Sequence, residues 1–297
     1  MKILLTGATG YIGQRLLPVL LHQGHEVYCC VRDKNRFHSP YASKNMFLLE
    51  VDFLEEKTLQ HIPDDIDVAF YLIHSMSTAQ GNFSEMEKTC ATNFKTRLEG
   101  TRAKQVIYLS GIVNEEELSQ HLSSRKNVED ILSHSKFALT TLRAGIIIGS
   151  GSASFEIIRD LVEKLPVMVA PRWLETRSQP IAIRNVIEFL SGVIDRPETY
   201  NKSFDIGGHE ILTYKEMLFR FAKVRGLRRH IFILPLISPK ISSYWLYFIT
   251  STSFRLAQNL VDSMKVEVIC KPNDLASLLN ITLIDYDTSI RLAFERI

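Results

Sequence analysis

At 297 residues, 45% of them hydrophobic, the chain can form one large α/β domain or two smaller ones, with ample material for a packed core. A formal net charge of +2 excludes the strong basic field of a general nucleic-acid binder, and short basic clusters occur only at residues 32–36 and 225–230. Cys29, Cys30, Cys90 and Cys270 have no metal-ligand spacing; the adjacent pair sits in an apolar run as small hydrophobes, and no metal site is expected.

The first thirteen residues read MKILLTGATGYIG. Lys2 to Leu5 is a short apolar strand, Thr6 to Gly10 a glycine-bearing turn, and Tyr11 opens an amphipathic helix running to residue 23. A strand, glycine turn and helix in succession offer backbone N–H groups and a positive helix end to a pyrophosphate. In the GxxGxxG spacing, Gly7 turns the chain, Gly10 lets the backbone approach phosphate, and Gly13 lets the helix pack on the strand. No secretory leader is read ahead of this strand, and a reducing cytoplasm is the expected setting.

Strand and helix signals then alternate. Strands are expected at residues 26–31, 46–51, 67–73, 105–110 and 138–143. Helices are expected at 55–61, 83–100 and 126–134. This alternation predicts βαβ units and a doubly wound parallel Rossmann sheet, with ligand at the carboxyl ends of the strands. The second half is less regular, with helices at 154–165, 183–194 and 214–224 and a strand at 202–206. No linker or repeat divides the chain. It reads as a single unit: a nucleotide-binding core over 1–150 and a smaller substrate lobe over 151–297. Residues 231–250 are strongly apolar, but Pro235, Pro239 and Lys240 interrupt them. Two short buried or half-exposed pieces are expected, with association to a membrane surface an open alternative.

The second strand runs into Arg32-Asp33-Lys34. An arginine there pairs with a 2′-phosphate, so NADP is favoured while NAD stays open, and Asp33 must point away for this to hold. Asp52, just after the third strand, is placed to reach the adenine edge. His74 and Ser75 follow the fourth strand at the ligand-bearing edge. Arg143 is read as a pin for its loop. The Gly149–Ser152 turn is read as a flexible cleft rim, with Trp173, Arg177, Gln179 and Pro180 as lining.

These residues resemble a known superfamily. TGATGYIG at the start, VRD after strand two, VDFL after strand three, YLIHSM after strand four and YLSGI after strand five are similar to the short-chain dehydrogenase/reductases. The closer likeness is to their atypical and extended members, the NmrA-like and NAD-dependent epimerase/dehydratase-like proteins. Residues 142–186 resemble the bacterial YbjT-type subgroup. The resemblance implies an NAD(P)-binding protein. It places Gly7, Gly10 and Gly13 at the phosphate turn, with Thr9, Tyr11 and Ile12 in backbone contact. Arg32 becomes the 2′-phosphate reader and Asp52 the adenine contact. Leu72, Ile73 and His74 lie along the nicotinamide-side ribose.

Active short-chain dehydrogenases use a serine and a Tyr-x-x-x-Lys pair. Ser110 stands at the serine's place, but His121 stands where the tyrosine belongs and Arg125 where the lysine belongs, with Lys126 next in line. Two functions lead, with a membrane-surface respiratory accessory factor, suggested by the apolar run at 231–250, as a third reading. One is an oxidoreductase or epimerase acting on a small carbonyl compound or quinone, with Ser110, His121 and Arg125 as its machinery. The other is a non-catalytic NADP(H) sensor or assembly factor. The expected ligands are the nucleotide and a small-molecule substrate, not nucleic acid, and the chain is expected as a monomer or homodimer.

Overall fold

A computed structural model describes residues 1–37, 43–73, 83–112, 120–234 and 265–295. The first half supplies six strands: β1 (Lys2–Leu5), β2 (Glu26–Val31), β3 (Met46–Glu50), β4 (Val68–Tyr71), β5 (Gln105–Gly111) and β6 (Ala138–Ala144). With β11 (Lys202–Ile206) they form a seven-stranded sheet in the order β11-β6-β5-β4-β1-β2-β3, every neighbouring pair parallel. The order reverses between β4 and β1. This is the Rossmann arrangement, which opens a crevice outside the carboxyl ends of those two strands.

The strands read as apolar runs because both faces are covered. Ile3 and Leu5 pack on one face, against Leu16, Leu17 and Leu20 of α1 (Tyr11–His22) and Val186 and Leu190 of α5 (Ile183–Gly192). Leu4, Ala69 and Tyr71 pack on the other, against Phe94 and Leu98 of α2 (Phe83–Glu99) and Val128 and Leu132 of α3 (Gln120–Ser133). Side chains alternate across each strand, so one strand feeds both cores.

The second half gathers a third core around α4 (Ala153–Lys164), α6 (Tyr214–Val224) and α7 (Tyr286–Phe294). Short strand pairs frame it: β7 (Ile147–Ile148) with β10 (Ile181–Ala182), β9 (Arg177–Ser178) with β12 (Leu212–Thr213), and β8 (Val167–Pro171) with β13 (His230–Leu234). Ser152 caps α4, a Thr213/Glu216 capping box starts α6, and Asp285 caps α7.

Three differences from the sequence reading stand out. The strand expected at 67–73 ends at Tyr71, because the Thr6 hydroxyl donates to Phe70 O and accepts from Leu72 N, drawing the chain out of the ladder. The expected helix at 55–61 is a 3-10 helix over Glu56–His61. The helix expected from residue 126 begins at Gln120, under a polar first turn that carries no apolar stripe. Of the apolar run at 231–250, only Ile231 to Leu234 lie among the described residues, within β13.

Candidate functional site

Gly7 leaves β1 with φ at +66°, a conformation glycine adopts without penalty, and a Cβ there would lie 2.5 Å from Leu72 O. The turn and the end of β4 are thus in backbone contact. A Cβ on Gly13 would lie 2.3 Å from Gly7 O, so α1 can sit this close to the turn only with glycine at that place. Gly10 is the N-cap of α1 and has no side-chain acceptor to offer, whereas α4, α6 and α7 are all capped by side chains. The first-turn N–H groups of α1, which no helical carbonyl can reach, are left for a ligand.

A cavity of about 220 Å³ opens at this turn. Gly7, Thr9 and Gly10 line it together with Arg32 from the end of β2, Asp52 from the end of β3, and Leu72 and Ile73 from the end of β4. Four loops at the carboxyl edge of the sheet therefore converge on one space. Asp33 does not join them: its carboxylate accepts from Asn35 N at 2.9 Å and caps a one-turn 3-10 helix, leaving Arg32 as the charged side chain of this dipeptide on the cavity. One Asp52 oxygen accepts from Leu54 N at 2.9 Å.

The sequence reading missed part of the wall. Cys30, Phe53, Met86 and Cys90 also line the cavity. Met86 and Cys90 are four apart on α2, a spacing that puts both on one helix face. Burial first, then the nearby Asp52 and Glu87 carboxylates, push the Cys90 thiol up to about 11, so it is a neutral wall. Beside it, Glu87 is buried and accepts a short hydrogen bond from Ser124 Oγ, joining α2 to α3.

Tyr11 and Ile12 stand at the helix start, outside the lining of this cavity. The Tyr11 phenol is buried, which pushes it up to about 12, and its ring lies 3.9 Å under the Arg15 guanidinium. Arg15 in turn donates to Ser150 O at 2.6 Å. The Gly149–Ser152 turn, expected as a flexible rim, is instead tied down: Gly151 N donates to Glu156 Oε1 and Ser152 Oγ to Ile147 O.

At the end of β5, Ser110 and Tyr108 share one face of the strand. Ser110 is buried, two residues from Tyr108 on the same face. The Tyr108 phenol donates to Arg125 O on α3 at 3.3 Å, and burial pushes it up to about 12. Ser110 and Arg125 are therefore brought together, with Tyr108 between them. The starting turn of α3 places His121 four residues before Arg125; the His121 side chain lies outside the described residues, as does His74. Lys126 is exposed.

Beyond β5 the carboxyl edge is closed. Arg143 holds Glu129 of α3 with two bonds, at 2.7 and 3.1 Å, and lies 4.0 Å from Asp205 of β11, which makes it a pin. Gln179 donates to Gly208 O and accepts from Cys270 N. Arg177 is held by Glu267 in a two-bond pair, and Trp173 packs edge-on against Tyr214 in the third core rather than lining a cleft. A larger cavity of about 810 Å³ lies between α1, α5 and α7, lined by residues such as Pro18, Ile187 and Leu292. It holds none of the converging strand ends, so the smaller cavity is the functional candidate despite its size.

Residues 3–102 match the family model "NAD dependent epimerase/dehydratase family". No curated protein sequence matches the chain. An NADPH-dependent quinone oxidoreductase from Escherichia coli, solved with NADPH, superposes with a TM-score of 0.78 at 16% identity, covering 99% of this chain and 100% of that one. The chain shares the Rossmann fold of this NADPH-bound protein. A triphenylmethane reductase from Citrobacter sp., complexed with NADP(H), superposes at 0.77 with 15% identity, covering 99% and 100%. UDP-glucuronic acid 4-epimerase from Bacillus cereus, with UDP-glucuronic acid and NAD, gives 0.70 at 16% identity, covering 99% and 98%. The fold thus serves reductases and epimerases and takes either nicotinamide nucleotide.

Proposed function

We propose that the chain is an NADP(H)-dependent oxidoreductase acting on a small carbonyl compound or a quinone. The observation that carries this is the cavity wall, where Arg32 and the glycine turn meet while the neighbouring Asp33 carboxylate is occupied by its own turn. The uncapped start of α1 and Gly10 hold the pyrophosphate. Arg32 pairs with the 2′-phosphate through its guanidinium, which a carboxylate in its place would repel. Asp52 and the apolar wall of Phe53, Met86 and Cys90 hold the adenosine. Leu72 and Ile73 lead towards the nicotinamide side. When bound, the cofactor supplies hydride to the substrate carbon or takes it back.

The chain's own part at the reacting end falls to three residues. Ser110 Oγ holds the substrate oxygen, Arg125 holds ribose hydroxyls, and His121, one helical turn earlier on α3, exchanges the proton. Tyr108 fixes the distance between β5 and α3 by its bond to Arg125 O. A second reading has its own support: Ser110 is already buried at the end of β5, which favours a protein that binds NADP(H) and reports its redox state without fast turnover.

Steady-state assays with NADPH and a panel of quinones and small carbonyl compounds separate the two. The oxidoreductase reading expects turnover that falls about a hundredfold in His121→Ala. Tight, redox-selective nucleotide binding with no turnover on any of the panel favours the second reading, and turnover unchanged by that substitution removes His121 from the reaction.

A further inference from the structure

The β8/β13 ribbon presents a feature that nucleotide chemistry does not use. Its strands are parallel, with Val167 opposite His230, Val169 opposite Phe232 and Pro171 opposite Leu234. Alternation puts Val167, Val169, His230, Phe232 and Leu234 on one face, while Met168, Ala170 and Ile231 turn to the third core. Val167, Val169, Phe232 and Leu234 are 44–57% exposed. Four apolar side chains side by side on one face of a two-stranded ribbon are a patch, not scattered surface residues.

Cations edge this patch at both ends. At the strand starts, Arg228 and His230 are exposed. Arg229 lies between them and is turned inward, its guanidinium bonding the Val162 and Glu163 carbonyls at the end of α4. Arg225 lies 4.0 Å over the Phe294 ring and pairs with Glu163. At the other end, Arg172 follows β8 directly, 80% exposed at its side chain and only 4.0 Å from Glu175. Arg228 has no ion pair among the described residues.

We propose that this face docks on an anionic lipid bilayer surface, the apolar side chains entering the headgroup boundary and the arginines meeting lipid phosphates. A second copy of the chain fits less well. A stable dimer needs about 800 Å² from each partner, more than one two-stranded face provides, and a two-fold contact would bring like charges together. The chain's own continuation fits less well too. Residues 235–264 carry Lys240 and Arg255 against the single acid Asp262, so they bring no acidic complement to the arginines.

The test is flotation of the full chain with phosphatidylcholine vesicles, with and without phosphatidylglycerol, for wild type, Phe232→Glu and Arg228→Ala. NADPH binding and thermal unfolding serve as fold controls, and light scattering gives oligomeric state. Wild type is expected to float with the phosphatidylglycerol vesicles and to be released by salt. Phe232→Glu abolishes flotation, and Arg228→Ala weakens it about fivefold, with unfolding unchanged in both. Equal flotation of wild type and Phe232→Glu overturns the proposal, as does no flotation of wild type with either vesicle. A wild-type dimer that Phe232→Glu splits assigns the face to a second copy. A Phe232→Glu chain that unfolds well below wild type assigns it to the chain's own continuation.

Discussion

The carboxyl edge of the sheet is built in two ways. Over β1 to β4 the loops leave polar groups turned to a cavity: the uncapped start of α1, the Arg32 side chain and the Asp52 carboxylate. Over β6 and β11 the same edge is knit by protein–protein bonds. Arg143 is held by Glu129, Asp205 accepts from Lys271 N at 2.9 Å, and Gln179 bridges Gly208 and Cys270. A Cβ on Gly145 would lie 3.0 Å from Val268, so even the space between these loops is filled. Where the backbone donors find no protein partner, a ligand can supply the acceptor. Where the loops bond to one another, the edge is scaffold.

Gly7→Ala breaks the open half most severely. It meets the Leu72 carbonyl and forces a left-handed backbone on alanine, costing about 3 kcal/mol. Nucleotide binding is expected to vanish and the melting temperature to fall, as titration calorimetry and thermal unfolding will show. The closed half responds differently. Arg143→Ala leaves the largely buried Glu129 and Asp205 carboxylates without their cation, costing about 2 kcal/mol of stability. Nucleotide affinity is expected to stay at the wild-type value, and a large loss of affinity would erase the distinction between the two halves. The smallest effect belongs to Gly24→Ala, in the turn between α1 and β2. Its φ is +80° with nothing within 4 Å of the added carbon, so only backbone strain remains, about 1 kcal/mol. Comparing its melting temperature with that of Gly7→Ala separates strain from steric clash.

The open half was the legible one. Its glycine turn, strand ends and Arg32 are local in sequence, and a strand–turn–helix pattern fixes where they meet. The wall supplied by Met86 and Cys90 was not legible, because it depends on how α2 lies across the sheet. The closed half resisted for the same reason. Arg143 could be read as a pin, but its partners lie 14 residues back on α3 and 62 residues ahead on β11, and no local pattern pairs them. Trp173 looked like cleft lining until its neighbour Tyr214, 41 residues on, placed it in the third core. The polar first turn of α3 hid the helix start from hydrophobic periodicity, although that turn decides whether His121 and Arg125 share a helix.

The central claim is that Arg32 and the glycine turn form an NADP(H) site. The direct test is calorimetric titration of NADPH and NADH into wild type and Arg32→Ala. The account predicts that wild type prefers NADPH and that Arg32→Ala loses about tenfold or more in NADPH affinity while NADH affinity holds. Equal affinity of wild type for the two nucleotides, or an NADPH affinity untouched by Arg32→Ala, would contradict it.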